Sequence, residues 1–193
     1  MTGIQVVLAT HNAHKVEELR RILGSRLGEI ELIGYDGPEP VEDGDTFEAN
    51  ALIKARAAYA HTGLPSIADD SGISVDALGG APGIHSARFA GTRDDHDNRA
   101  LLLERMIGVA DRAAYFTCAA AFVDGATEHV ELGIWPGRVL EQETGDGGFG
   151  YDPVFQPEGL PVSSAELTAD EKNAISHRAI AFGKLISWMH SRR

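Results

Sequence analysis

The opening of the chain constrains its fold most. Ile4 to Ala9 is an unbroken apolar run rich in β-branched residues, as expected of a strand buried on both faces. Thr10-His11-Asn12 interrupts it. Val16, Leu19, Ile22 and Leu23 then recur at helical spacing, with Glu17, Glu18, Arg20 and Arg21 between them. Gly24 supplies a stop, and Ile30 to Ile33 reads as a second short strand. A strand–helix–strand unit is therefore predicted. Further on, two long extended runs, Ala113 to Val123 and Thr127 to Val139, flank Asp124-Gly125, a dipeptide that favours a hairpin. Early strands alternating with a helix, and a hairpin in the middle, imply an α/β chain with a mixed sheet.

Between these landmarks, residues 34–45 form a loop rich in Gly, Pro and acids. Thr46 is placed to cap a helix running through Ala49, Ile53, Ala57 and Ala60 to Gly63. Leu64-Pro65 leads into the short Ile67-Ala68 strand, which runs through Asp69-Asp70 into a Ser71-Gly72 turn, and Ile73 to Val75 continues extended beyond it. Residues 76–91 are loop-rich, and a helix follows around Asn98 to Ile107. Residues 145–153 read as a glycine loop, followed by a short strand at Val154-Phe155. The last helix is expected to start near Ser176 and to carry Ile180, Phe182, Leu185, Ile186 and Met189. The 193 residues suffice for one large domain or two small lobes, with no internal repeat or flexible linker.

The formal net charge is -12, with no block of lysines or arginines, which argues against a sequence-independent duplex binder but not against a nucleotide substrate. Cys118 is the only cysteine, so no intrachain disulfide or cysteine metal cluster is possible, and its apolar setting reads as a buried strand. Met1-Thr2-Gly3-Ile4 lacks the charged and apolar regions of a signal peptide, and no apolar run reaches membrane-spanning length, so a cytoplasmic location is expected.

Asp69 and Asp70 carry the strongest chemical signal. Neighbouring residues on a strand point to opposite faces, so both cannot be ordinary solvent-facing charges, and like charges this close need a cation or donor. A divalent metal would serve, with Glu42 as another candidate oxygen ligand. Thr10-His11-Asn12-Ala13-His14-Lys15 joins a strand to a helix, an arrangement that presents backbone N–H groups to an anion. A plain helix cap with an exposed lysine fits the same spacing. Gly145-Asp146-Gly147-Gly148-Phe149-Gly150 matches G-x-G-x-x-G, yet Tyr151-Asp152-Pro153 follows where a dinucleotide fold needs a helix. What stands is a glycine loop that delivers Phe149, Tyr151 and Asp152, either to a base or as a tight turn with a packed ring. Lys172 to Arg178 places His177 and Arg178 where a helix dipole disfavours cations, which suits an anionic partner as well as a solvated basic stretch. Asp94-Asp95-His96-Asp97 looks metal-like but reads better as a helix cap. A serine hydrolase is a poor fit, because Asp70-Ser71-Gly72 lacks the leading glycine of a nucleophile elbow.

Taken in order, five segments resemble the inosine triphosphate pyrophosphatase family nearly end to end. They are Thr10-x-Asn12-x-x-Lys15, Thr46-Phe47-x-x-Asn50-Ala51-x-x-Lys54-Ala55, and Ala68-Asp69-Asp70-Ser71-Gly72 with Leu78 to Arg88 behind it. Gly148-Phe149-Gly150-Tyr151-Asp152-Pro153 and Lys172 to Arg178 complete the set. The resemblance implies an elongated mixed sheet with flanking helices, one domain of two lobes around a nucleotide cleft, and a homodimer. It implies Mg2+-dependent hydrolysis of ITP, dITP and XTP to monophosphate and pyrophosphate, with no nucleic-acid or membrane partner. Asp70 takes the place of the general base beside the metal, Glu42 that of a metal ligand, and Asp69 and Lys54 support them. Thr10, His11, Asn12, Ala13, His14 and Lys15 fall at the triphosphate, and Ser71, Phe149, Gly150, Tyr151, Asp152, Lys172, His177 and Arg178 at the nucleotide. His11 departs from the glycine many relatives carry. The rival expectations are a related pyrophosphatase for pyrimidine or modified nucleotides, and a nucleotide-binding protein without turnover.

Overall fold

In the computed structural model, residues 4–11 and 13–192 are described. The expected strand–helix–strand unit is β1 (Ile4–Leu8), α1 (Ala13–Leu23) and β2 (Ile30–Gly34), with β1 and β2 parallel and Val6 opposite Leu32. Helix α2 (Phe47–Thr62) starts where the side chain of Thr46 accepts the Ala49 N–H and stops at Gly63 in the left-handed region. Strand β3 (Ser66–Val75) lies parallel to β1, with Leu8 opposite Ile67. Helix α3 (Asp95–Arg105) is capped by Asp94. The hairpin strands are β4 (Ala113–Val123) and β5 (Glu128–Val139), and Asp124 Oδ1 accepts the N–H groups of Ala126 and Thr127 at its tip. The short β6 (Phe155–Pro157) pairs antiparallel with β5, and helices α4 (Ala169–Ile175) and α5 (His177–Ser191) follow. The six strands form one mixed sheet in the order β2-β1-β3-β4-β5-β6.

One sequence expectation is corrected. Ser71-Gly72 is not a turn, because β3 runs unbroken from Ser66 to Val75. Gly72 serves close approach instead: a Cβ there would meet Ser86 Oγ and the Gly83 carbonyl oxygen. The Ser86 hydroxyl sits in that space, accepting the Ile73 N–H at 3.0 Å and donating to Gly83 O at 2.6 Å. Lys172 to Ile175 belong to an additional helix, α4, whose start carries a capping box between Thr168 and Glu171, and α5 begins at His177, beside the expected start at Ser176.

The chain divides into two units. The first holds the described residues up to Asp70, Cys118–Gly133 and those from His177 onward; the second holds Ser71–Thr117 and Ile134–Ser176. The first unit has two apolar layers. Val6, Leu8, Ile67, Cys118 and Ala120 pack with α1 and α5 through Leu19, Leu23, Phe182 and Leu185. Val7, Ala68, Ala119 and Ala121 pack with α2 through Ala51, Ala55 and Ala58, whose small side chains let that helix lie close. The alternation of Ile67 and Ala68 between these layers sets the faces for Asp69 and Asp70. In the second unit, Ile73, Val75, Leu102, Phe116, Trp135, Tyr151 and Phe155 form a separate core.

Candidate functional site

Strand period resolves the like-charge problem of the two aspartates: each has its own cation. Asp69 accepts from Arg178 Nε and Nη2 at 3.3 and 3.1 Å, with Lys15 Nζ at 3.8 Å. Arg178 is held in turn by Glu18 on α1, whose Oε2 accepts from Nη1 at 2.9 Å. Asp70 faces Lys54 on α2 at 3.7 Å and is hydrogen-bonded to the side chain of Asn50. Asn50 is buried, and its own carbonyl oxygen accepts the Gly44 N–H at 2.9 Å, which ties Asp70 to the loop carrying Glu42. Glu42 lies 2.9 Å from the same Lys54 ammonium.

The electrostatics of the pair diverge accordingly. Burial would raise the Asp69 carboxyl, but the charges of Lys15, Arg178 and Lys54 overcome it and hold the group well below the usual carboxylate range. For Asp70, burial dominates, with Glu42 and Asp69 adding repulsion, and its pKa is raised despite Lys54 and Asn50. The two neighbouring carboxyls are thus shifted in opposite directions. Burial works against the Lys54 ammonium, yet Asp69, Asp70 and Glu42 together leave its pKa raised, so it stays charged. Cys118 is inert, its thiol pushed up by burial and then by Asp69.

Local sequence explains why Arg178 reaches Asp69. Gly133 of β5 has no Cβ to collide with the His177 carbonyl oxygen or the Ala181 nitrogen, so the first turn of α5 lies directly against the strand. His177 and Arg178, its first two residues, are buried as a result. At the end of β1, the Thr10 N–H donates to Leu8 O, and His11 follows. The His11 ring stacks on Tyr35 at 5.4 Å, and its Nδ1 lies 2.9 Å from Glu39 Oε1, a partnership that raises its pKa. Asn12 lies outside the described residues, as do the side chains of Ala13 and His14.

The second unit collects the other predicted residues. Phe149 is half exposed, and Lys172 Nζ sits 4.5 Å from its ring centroid. Asp152 is buried and fully engaged: it accepts from the Phe149 N–H and from Ser164 Oγ, each at 2.8 Å, and is ion-paired with Lys172. Tyr151 is a core residue whose hydroxyl donates to Ser86 O at 2.7 Å, and burial pushes its pKa up. Asp152 and Tyr151 thus shape the mount on which Phe149 and Lys172 are presented. Ser71 is the first residue of this unit on β3.

Sequence reasoning missed the partnerships of Glu18 and Asn50. Glu18 looks like any solvent-facing helix charge, since its partner is 160 residues away. Asn50 left a signal, because asparagine inside a helix of good helix formers is disfavoured without a tertiary partner. Asp94, His96 and Asp97 could converge on an ion but are exposed, and Asp94 is the helix cap that the sequence suggested.

The profile of the Ham1 family matches residues 6–188. A curated relative from Leifsonia xyli subsp. xyli, named dITP/XTP pyrophosphatase, is 54% identical over 188 residues, covering 95% of this chain and 94% of the relative. Another of the same name from Streptomyces coelicolor is 51% identical over 191 residues, covering 94% and 95%. Among solved structures, a HAM1 protein from Coxiella burnetii superposes with a TM-score of 0.90 at 38% identity, covering 97% of this chain and 99% of that one. A nucleoside-triphosphatase / dITP/XTP pyrophosphatase from Mycobacterium abscessus gives a TM-score of 0.78 at 43% identity, covering 94% and 98%.

Proposed function

The chain belongs to the Ham1 family, and on that premise we propose that it hydrolyses dITP, XTP and ITP to the nucleoside monophosphate and pyrophosphate. The observation that carries this reading is the division of labour between adjacent carboxylates. Asp69 is locked as an anion by Arg178 and Lys15, while Asp70, beside Lys54, has a raised pKa.

In this reading Asp70 accepts the proton of the water that attacks the α-phosphorus, and pyrophosphate leaves. The Asp70 carboxylate faces Lys54 and is hydrogen-bonded to Asn50, which holds it in place to accept that proton. Lys15 and Lys54 meet the charge of the phosphates, and Asn50 fixes the direction of the Asp70 carboxylate. Glu42 and Asp70 would hold a divalent cation. They fit one chemically, since both are hard oxygen donors and already converge on a cation, the Lys54 ammonium. When bound, magnesium would neutralise phosphate charge and acidify a water molecule.

Base choice falls to Phe149 and Lys172. The exposed ring offers a stacking surface, and an ammonium can only donate hydrogen bonds. It therefore suits the six-position oxo group of inosine and xanthosine and has nothing to accept from the amino group of adenosine. A homodimer in the cytoplasm completes the proposal.

The test is turnover of ITP, dITP, XTP, GTP, ATP and dUTP, with pyrophosphate and orthophosphate measured separately. Pyrophosphate release from ITP, dITP and XTP is expected, well ahead of ATP. Orthophosphate as the only product, equal rates on ATP and ITP, preference for dUTP, or ITP binding without turnover would each overturn it. Sedimentation checks the dimer.

A further inference from the structure

Gly150 is held by side chains that the proposed reaction leaves unused. Its N–H donates to Asp95 Oδ2 at 2.9 Å, and its carbonyl oxygen accepts from Arg99 Nη1 at 2.9 Å. Asp95 and Arg99 are four residues apart in α3, hence on one helix face, and grip both polar groups of one residue. Arg99 Nε is also 3.1 Å from Glu143, on the segment leading into the glycine loop. On either side of this grip, the Phe149 N–H is taken by Asp152 and the Tyr151 hydroxyl by Ser86 O. Gly150 has φ +60°, a conformation that glycine enters and leaves without strain, so the clamp fixes the residue of this loop with the most backbone freedom. Four fixings over three residues are a great deal for a loop whose most prominent side chain is a half-exposed phenylalanine.

We propose that Asp95 and Arg99 are positioning residues that clamp the Gly150 peptide and hold the Phe149 ring, with Lys172 beside it, in the orientation that stacks on the substrate base. A ring ordered in advance costs less to order on binding, so the clamp raises affinity for the base and leaves phosphate chemistry untouched. This rests on the function proposed above. It also gives α3 and the Asp94 to Asp97 segment a role other than metal binding: Asp94 starts the helix, and the helix carries the clamp.

Three variants test it: Asp95→Ala and Arg99→Gln remove one arm each, and Asp95→Asn keeps an oxygen acceptor for the Gly150 N–H. Hydrogen exchange of the 149–152 amides should quicken about tenfold in Asp95→Ala and Arg99→Gln and stay near wild type in Asp95→Asn. KM for ITP should rise about tenfold in the same two variants, a fraction of what a stacked base contributes, with kcat within about threefold of wild type. Inhibition by inorganic tripolyphosphate, which has no base, should be unchanged. Unaltered exchange, faster exchange with unaltered KM, or a matching rise in KM and in the tripolyphosphate inhibition constant would overturn the clamp. If the wild-type protein turned over neither ITP nor XTP, the proposed reaction would fall. The clamp would then be judged on exchange and on calorimetric binding of IMP, weakened in Asp95→Ala and retained in Asp95→Asn if it holds.

Discussion

Removing the arginine that balances Asp69 offers the sharpest test of how the first unit is held together. In Arg178→Met the side chain keeps apolar bulk but takes three donor contacts from two carboxylates: Nε and Nη2 from Asp69, and Nη1 from Glu18. The Asp69 and Arg178 side chains are only 6% and 3% exposed, so the aspartate is left as a buried charge with Lys15 at 3.8 Å as its nearest ion-pair partner. Breaking a buried pair in this way costs about 3–5 kcal/mol. Lys15 offsets part of that, so the low end applies, a fall in Tm of about 6–12 °C for a chain of this length. The pH dependence carries the mechanism. In the wild type the Asp69 pKa is depressed below its ordinary 3.8, so its stabilising effect is present above about pH 4 and is lost as pH falls through the folded value. In the variant, Lys15 and Lys54 alone oppose burial, so the Asp69 pKa lies above its wild-type value and protonation relieves part of the penalty. The difference in Tm is therefore widest at pH 7 and narrows toward pH 4. Scanning calorimetry at pH 7, 5.5 and 4 measures it. Asp69→Asn combined with Arg178→Met should recover stability at pH 7 relative to Arg178→Met alone. A fall of less than about 3 °C, or a gap independent of pH, would refute the reasoning.

Asp70→Asn should reduce ITP turnover at least about a hundredfold. It should leave Tm at pH 7 unchanged or raised: the folded-state pKa of Asp70 is above its ordinary value, so ionisation opposes folding as pH rises, and the amide removes that cost. Glu42→Gln should increase the magnesium concentration needed for half-maximal rate by about tenfold, with kcat at saturating metal less affected, and a metal titration reads this directly. Arg56→Gln breaks a bidentate pair with Glu128, at 2.6 and 2.7 Å, that looks strong on geometry alone. Both partners are about half exposed, so less than about 1 kcal/mol should be lost, and a melting shift beyond about 4 °C would contradict the screening argument.

The elements carried by long periodic runs were legible in the sequence. The first strand–helix–strand unit, the helix between Thr46 and Gly63, and the hairpin at Asp124 all lie within a residue or two of where period and turn chemistry put them. Helix α4 was not, because its seven residues are too few to show an apolar period, although the Thr168-x-x-Glu171 capping box was there to be read. Ser71-Gly72 looked like a turn because glycine serves both for bends and for close approach, and only the position of Ser86 decides between them. In the candidate site, the residue types were visible and their partners were not. The Glu18–Arg178–Asp69 link joins positions far apart in the chain, and no local pattern reports such a contact. For Tyr151 and Asp152 the residues left a base contact and a packed turn open, and their partners, Ser86 O and Ser164 Oγ, are visible only in the structure.

The alternation of Ile67, Ala68, Asp69 and Asp70 across β3 bears on how this strand can change over time. Its residues can be exchanged one by one, but their number cannot. Adding or losing a residue between Ser66 and Asp70 would shift the downstream aspartates by half a pleat, delivering Asp69 toward Lys54 and Asp70 toward Arg178, and would turn Ile67 or Ala68 into the wrong apolar layer. Length polymorphism should therefore collect in surface segments such as residues 24–29 and 158–162 and be missing from this strand. A library of single-codon insertions, selected for folded protein, would show β3 as a gap.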